Sequence, residues 1–421
     1  MNFSKTKLGV GLALLGVIVL SDCRLNSTSS IESTTITLSG WQSSPKEKQL
    51  LEQVIQDFQT QNPTIKVKYE VINSEYMDVI RTRLIGDVAP DVFYLDALEA
   101  PMLMKHDVLE PLDDYVTQSF DLADFEPSLI RAFQQRNRLY GLPKDFSTLA
   151  LVYNKKSFAA AGITEPPKTW SELQAFSKRL MIDRNRDGKP EQYGVGIMPE
   201  LARHSYILKA YGGQITNQFN YANFAQPENL QGLQSVVNQY RDDRSSAQPT
   251  DVGTSSGSEM LGQERAAMVI EGNWVIPYFR ETFPNLEFST AEVPAINGKP
   301  GTMVFTVAYV MNRKSKHKQA AWKLIAYLTG KAGMKAWATQ GLTLPSRRSV
   351  LSELGYDRDP LYAPFIKGAN YATIWQVGEN LPTIRMNFNN QFTSALLGQQ
   401  SLEQAMKKAQ ETANREIYLS N

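Results

Sequence analysis

The chain has 421 residues, too many for one ordinary hydrophobic core and enough for two lobes or domains. Apolar residues make up 42% and charged ones 21%, which excludes wholesale disorder, and 44 Lys and Arg against 43 Asp and Glu leave a net charge of +1, unlike a basic nucleic-acid binder. The single cysteine, Cys23, rules out an intrachain disulfide and a thiolate zinc site. His106, His204 and His317 lie far apart, with no HExxH-like spacing.

The amino terminus reads as an address. Lys5 and Lys7 precede an uncharged apolar run from Leu8 to Leu20, too short to span a bilayer and of the length of a signal-peptide core. Leu20-Ser21-Asp22-Cys23 then resembles a bacterial lipoprotein signal, in which the cysteine becomes the lipid-bearing first mature residue. Asp22 departs from that pattern, which has a small residue there, so a plain secretory signal or an uncleaved anchor is the other reading. The expectation is a signal peptide over 1–22, lipidation at Cys23, a Ser/Thr-rich tether over 23–35, and a periplasmic or cell-surface location.

Thr35–Leu38 is predicted as a strand ending at Ser39-Gly40-Trp41. Apolar residues at Leu50, Leu51, Val54, Ile55 and Phe58 predict a helix over 46–59, stopped by Asn62-Pro63. Alternation over 65–71 predicts a second strand, 76–85 a helix, and 91–95 a short apolar strand. This order is that of an open α/β sheet with mostly parallel strands. Ligands bind such sheets beyond the carboxyl ends of strands, which here puts Trp41, Gln42 and Asp96 in view.

Next come a strand predicted over 148–153 and a helix closed by Gly162. Pro166-Pro167 leads into Thr169, an N-cap with Glu172 three residues on as a capping box. The order Leu142-Pro143, strand, Tyr153-Asn154-Lys155, Phe158, Ala161-Gly162-Ile163, Pro166-Pro167-Lys168-Thr169-Trp170 resembles the extracellular solute-binding proteins of sugar ABC importers, in the maltose, trehalose and multiple-sugar branch. Two further segments resemble the same family. One is Gly262 to Trp274, with Ala267-Met268 and Gly272-Asn273-Trp274. The other is Leu342-Thr343-Leu344-Pro345-Ser346-Arg347, after helices predicted over 318–330 and 332–340. The resemblance implies a two-lobed α/β fold of the type II periplasmic-binding-protein class, with a ligand cleft between the lobes and closure by hinge bending. Residues 36–147 with 302–350 would form one lobe, and 148–301 with 351–421 the other.

A neutral sugar offers hydroxyls to carboxylates, amides and guanidinium groups, and apolar faces to flat aromatic rings. The resemblance points to Asp96 and Asp145 as acids, Trp274 as a stacking ring and Arg347 as a donor. Gly272 would let backbone approach the ligand. Phe146, Phe305, Tyr211, Gly213 and Trp375 are further candidates to line the cleft. Asp96 reads equally as a helix cap, Asp145 as a turn residue and Arg347 as a surface charge. Trp170, Trp322 and Trp337 lie on predicted helices and read as packing residues.

Asp183-Arg-Asn185-Arg-Asp187-Gly188 matches the first half of a calcium loop, with Lys189 and Glu191 following. Gly194 stands where the bidentate glutamate is expected, so an Asx-rich turn is the alternative to a structural Ca2+. No cofactor is required for binding a neutral sugar. The expected function is capture of a di- or oligosaccharide or a glucoside (trehalose, sucrose, maltose or glucosylglycerol type) by a monomeric, non-enzymatic lipoprotein that delivers it to ABC permease subunits with an ATPase. Two rivals stand beside it. An exported glycoside hydrolase would use two carboxylates among Asp96, Asp145 and Glu271. A binder of glycerol phosphodiesters would use Arg347 and Arg385. The basic run Arg313–Lys318 reads as a solvated helix start or a permease contact.

Overall fold

Period-two burial builds the first strand. Thr34–Gly40 buries Ile36 and Leu38 completely and pairs in parallel with Ile65–Val71 on one side and Val92–Asp96 on the other. Parallel neighbours need a crossover, and the helices Pro45–Gln61 and Tyr76–Ile85 supply the two. This is a computed structural model, and it describes residues 33–42, 45–339, 341 and 343–420. The expected signal peptide, Cys23 and nearly all of the tether lie outside those residues, as does Leu342 of the third motif.

The strand expected over 148–153 is longer than its apolar pattern. Gly141–Asn154 is one strand of 14 residues, buried along almost its whole length. It takes in Pro143 and Asp145, which the sequence reading puts outside it. Proline is tolerated because the ladder to the neighbouring strand Met303–Met311 shifts register there, between Val307 and Ala308.

This strand changes partner midway. From Gly141 to Thr148 it pairs antiparallel with Met303–Met311; from Leu149 to Tyr153 it pairs antiparallel with Ala266–Gly272. One sheet of ten strands thereby runs through both halves of the molecule. Its main order is Ile65–Val71, Thr34–Gly40, Val92–Asp96, Met303–Met311, Gly141–Asn154, Ala266–Gly272, Tyr193–Gly196, Ser246–Ala247, with Phe288–Ala291 and Thr373–Ile374 added at the crossing.

Separate cores flank the crossing. One contains Ile36, Phe93, Tyr309 and Trp337; another contains Ile207, Phe224, Phe388 and Phe392. A third joins them along the crossing strand through Phe146, Ala150, Val304 and Phe365. The helix Trp170–Leu180 opens with the expected capping box, in which Thr169 Oγ1 accepts from the Glu172 N–H at 3.2 Å and the Glu172 carboxylate accepts from the Thr169 N–H. Gly162 ends the preceding turn at φ +65°, a conformation that favours glycine. Among the described residues, no helix is long and apolar enough to cross a membrane.

Candidate functional site

The partner switch is the chemical focus of the crossing. Ser147 Oγ donates to the Asn273 carboxamide oxygen at 2.5 Å, and Asn273 is fully buried. Thr148 Oγ1 donates to the Phe365 carbonyl at 2.6 Å, and Thr302 Oγ1 to the Leu149 carbonyl at 2.7 Å. Thr302 thus serves a carbonyl of the buried strand, and the strand's own two hydroxyls tie it to Asn273 and Phe365, at the point where it leaves one ladder for another.

Two aromatic rings stand beside this point. Phe305 lies opposite Ser147 on the return strand, and Trp274 follows Gly272, which lies opposite Leu149. Both rings are half-buried, with centroids 6.3 Å apart. Gly272 is required for a reason other than the one expected. A Cβ there would fall 2.1 Å from the ring of Trp274, so the indole itself occupies the space above the glycine.

Across the crossing, Trp41 ends the first strand, half-buried and edge-on to Tyr76 and Tyr94 at 4.9 and 5.2 Å. The Gln42 N–H donates to the Asn73 side-chain oxygen, while the Gln42 Oε1 is buried with no hydrogen-bond partner among the described residues. Asp96 ends the third parallel strand. Its Oδ1 accepts from the Leu98 N–H at 2.8 Å, so it caps its own turn; the helix begins later, at Ala100. Burial pushes the Asp96 carboxyl up to about 6. The Leu98 N–H opposes this, Glu99 and Asp145 add to it, and Arg385 works against it.

The sequence reading missed the segment that faces Asp96. The Gln376 carboxamide donates to the carbonyls of Ala97 and Ala132 at 2.8 Å each, and Lys105 pairs with Glu379 at 2.8 Å. Arg385, exposed on the helix Leu381–Leu396, lies close enough to act electrostatically on both Asp96 and Glu99. No residue pattern around Gln376 or Glu379 marks them in advance.

Other candidates face inward. Arg347 is 1% exposed. Its guanidinium donates to the carbonyls of Thr329, Phe120 and Asp121 at 2.6, 2.9 and 3.0 Å, meets Asp124 at 3.3 Å and lies over the Phe125 ring. Its donors are spent on the fold, so neither the surface charge nor the sugar donor that the sequence allowed is what the structure has. Asp145 is buried as well. It accepts from the Trp337 indole N–H at 3.1 Å and pairs with Lys144, whose ammonium lies 4.2 Å from the Trp337 ring centroid. Phe146 is in the third core, with its backbone bonded to Leu344 in both directions. Trp375 is 4% exposed within the second core, which leaves little ring face for stacking. Glu271 is buried against Arg203 at 3.1 Å.

Tyr211 is half-buried after the helix Leu201–Ala210. Gly213 borders a groove of about 440 Å3 with Gly212, Gln214 and Thr373, and Trp274 does not line it. In the Asp183–Glu191 loop the acceptors are turned on their own backbone. Asp183 accepts from the Gly188 N–H at 3.1 Å, Asn185 from Asp187 at 3.0 Å, Asp187 from Lys189 at 2.8 Å, and Glu191 from Arg184 at 2.9 Å. Among the described residues, no three His, Cys, Asp or Glu side chains are gathered as a metal site would need.

Comparison with known proteins decides the family. The model of the bacterial extracellular solute-binding proteins matches residues 42–335, well over half of the chain. The chain belongs to this family. The resemblance read from the three motifs holds at that level. A binding protein of Brucella abortus (strain 2308) is 26% identical over 337 residues, covering 78% of each chain. A maltotriose-binding protein of Pyrococcus abyssi is 23% identical over 337 residues, 78% of this chain and 70% of its own. The solved ABC substrate-binding protein of Listeria monocytogenes in complex with cycloalternan superposes with a TM-score of 0.82 at 22% identity, over 92% of this chain and 99% of that one. At that identity the likeness establishes the two-lobed α/β fold.

Two outcomes follow from the buried groups. Arg347→Met should lower stability by roughly 3 kcal/mol, because it strands the carbonyls and the Asp124 carboxylate that the guanidinium serves, while leaving ligand affinity unchanged below the melting transition. Thermal denaturation and titration calorimetry read the two effects separately. For Asp96, the folded pKa of about 6 lies above the ordinary carboxylate value, so ionisation opposes folding. The group is most compatible with the fold below the unfolded value, and its cost grows as pH rises through 6. Asp96→Asn should therefore raise stability at pH 7 by about 3 kcal/mol and by well under about 1 kcal/mol near pH 4, as denaturant melts at the two pH values would record.

Proposed function

We propose that this chain is the substrate-binding component of an ABC importer and that it captures a neutral di- or oligosaccharide, or a glucoside, in the cleft between its lobes. The observation that carries the reading is the half-buried pair Trp274 and Phe305 at the strand crossing, with Trp41, Asp96 and Arg385 on the elements around it. Rings would take the apolar faces of a sugar, and the carboxylate and guanidinium its hydroxyls. The ligands for which the relatives are named, maltotriose and cycloalternan, support an oligosaccharide. Lobe boundaries near 147/148, 301/302 and 350/351, delivery of sugar to permease and ATPase subunits, export, lipidation at Cys23 and a monomeric state are parts of the same proposal. The reading needs no metal.

Neutral ligands are favoured over phosphorylated ones by the fate of the cations. Arg347 is consumed inside the fold, which leaves Arg385 without the second guanidinium that a phosphodiester site would use. Binding is favoured over hydrolysis in the same way. Of the three acids a glycosidase would draw on, Asp145 and Glu271 are buried in ion pairs.

The mechanism follows from the shared strand. The lobes swing about the switch at Thr148–Leu149, a sugar touching both holds them together, and the closed form docks on the permease. Titration calorimetry against maltose, maltotriose, trehalose, sucrose, glucosylglycerol and glycerol phosphodiesters tests it. Tight one-to-one binding of a neutral sugar without turnover is the expected outcome; binding of the phosphodiesters alone, or release of free glucose, would refute it. In the same assay Trp274→Ala should weaken the cognate sugar by about 1–3 kcal/mol, and Gly272→Ala should do likewise by pushing the indole out of place.

A further inference from the structure

The strands of the first lobe have two ends. Their carboxyl ends carry Trp41 and Asp96; their amino ends, roughly 20 Å away along seven residues of strand, begin at Thr34 and Ile65. At this far pole lies a groove of about 490 Å3 lined by Thr34, Thr64, Ile65, Lys316, His317 and Lys323. The basic run Arg313–Lys318 enters it. Three of that run's four cations are already used: Arg313 pairs with Asp107, Lys314 with Asp87 and Lys318 with Glu110. Lys316 and Lys323 are exposed and pair with no carboxylate among the described residues. The same holds for Lys66, which stands opposite Thr35 and directly follows Ile65 of the groove lining.

We infer that this lysine groove rests on an anionic phospholipid surface and holds the anchored protein in a parked pose, with its sugar cleft turned away from the bilayer. The inference rests on the proposed lipid anchor at Cys23. Two independent observations converge on it. The groove surrounds the point where the chain enters the fold, and Cys23 lies ten residues before Ser33, a reach of at most about 36 Å. A lipid on Cys23 therefore keeps this pole, more than any other part of the molecule, close to the headgroups. The uncompensated charge there is positive, opposite in sign to phosphatidylglycerol and related lipids. Each lysine brought to such a surface strengthens binding about five-fold, so three lysines hold the pose about a hundred-fold, and salt weakens it. A hold of that size is reversible, so the protein can leave it to dock on a permease with the cleft turned round.

The test uses the full chain, reconstituted through its amino terminus into vesicles of phosphatidylcholine alone or mixed with phosphatidylglycerol. Lysine acetylation is followed by mass spectrometry. Lys66, Lys316 and Lys323 should react at least about five-fold more slowly on the anionic vesicles, and molar salt should abolish the difference. Lys189 and Lys407 should react equally on both. Lys316→Gln with Lys323→Gln should remove the protection of Lys66 and leave sugar affinity unchanged. Equal reactivity of the three lysines on the two kinds of vesicle would overturn the parked pose while leaving the anchor intact. Loss of the protein from phosphatidylcholine vesicles, with no lipid mass on Cys23, would instead defeat the anchor reading. The groove proposal would then stand only if anionic vesicles alone still retained the protein and protected the same lysines.

Discussion

A strand buried on both faces cannot change partners for nothing. Every N–H and C=O that leaves one ladder must enter another or find a side chain, because water does not reach it. Near the switch of the strand Gly141–Asn154, Thr302 and Thr306 donate hydroxyls to its Leu149 and Asp145 carbonyls, while its own Ser147 and Thr148 donate outward to the Asn273 side chain and the Phe365 carbonyl. Everything else in the molecule is arranged around this satisfaction. The two large cores lie on either side of it, the two candidate sugar-facing rings stand next to it, and the ten-stranded sheet runs through it. Rotation of one lobe against the other has a natural axis here, since the ladder partners differ on the two sides while the chain is shared.

Buried charge sorts the walls of the cleft from its working surface. Arg347 is surrounded by carbonyls and one carboxylate, and Arg203 with Glu271 and Lys144 with Asp145 form compact pairs. In each, both partners are fixed inside the fold, and removing one strands the other, which makes them positioning devices for the backbone. Asp96 differs. Burial lifts its carboxyl to about 6, and it accepts from the Leu98 N–H. A group held in that state gains more from a hydroxyl donor than from water, because it has already given up hydration. Stability and binding thus pull in opposite directions at this position, a common signature of a functional residue.

Much of the local structure was legible in the sequence. The strand at 65–71 and the helix at 76–85 have the predicted bounds, because alternation and helical spacing are local signals. The Thr169–Glu172 capping box was legible for the same reason. The site was less so. The loop holding Arg347 and the segment holding Asp145 were found, though not the strand that takes Asp145 in, and a motif reports where the chain runs and not which way a side chain turns. That direction depends on residues far away, such as Phe120, Thr329 and Trp337. Trp375 was misjudged likewise, since the core that buries it is assembled from the helices Leu201–Ala210 and Leu381–Leu396, remote in sequence. Gln376 and Glu379 were invisible because their partners, Ala97, Ala132 and Lys105, lie more than two hundred residues earlier.

Those missed contacts change how closure should be understood. A hinge that carried only the crossing strands would leave the lobes free, and a ligand would have to supply the whole cost of ordering them. Here Gln376 holds two carbonyls on the far side, Lys105 pairs with Glu379, and Arg385 faces Asp96 and Glu99. These contacts already order the segment just beyond Asp96. On the proposed function, a sugar would then have a smaller gap to close, and its affinity would depend on how well it replaces the field of Arg385 at the Asp96 carboxylate. On the proposed function, Trp274 and Phe305 would set the shape of the ligand and the Asp96–Arg385 couple the placement of its hydroxyls. The motif arginine and Asp145 are held inside the fold around them.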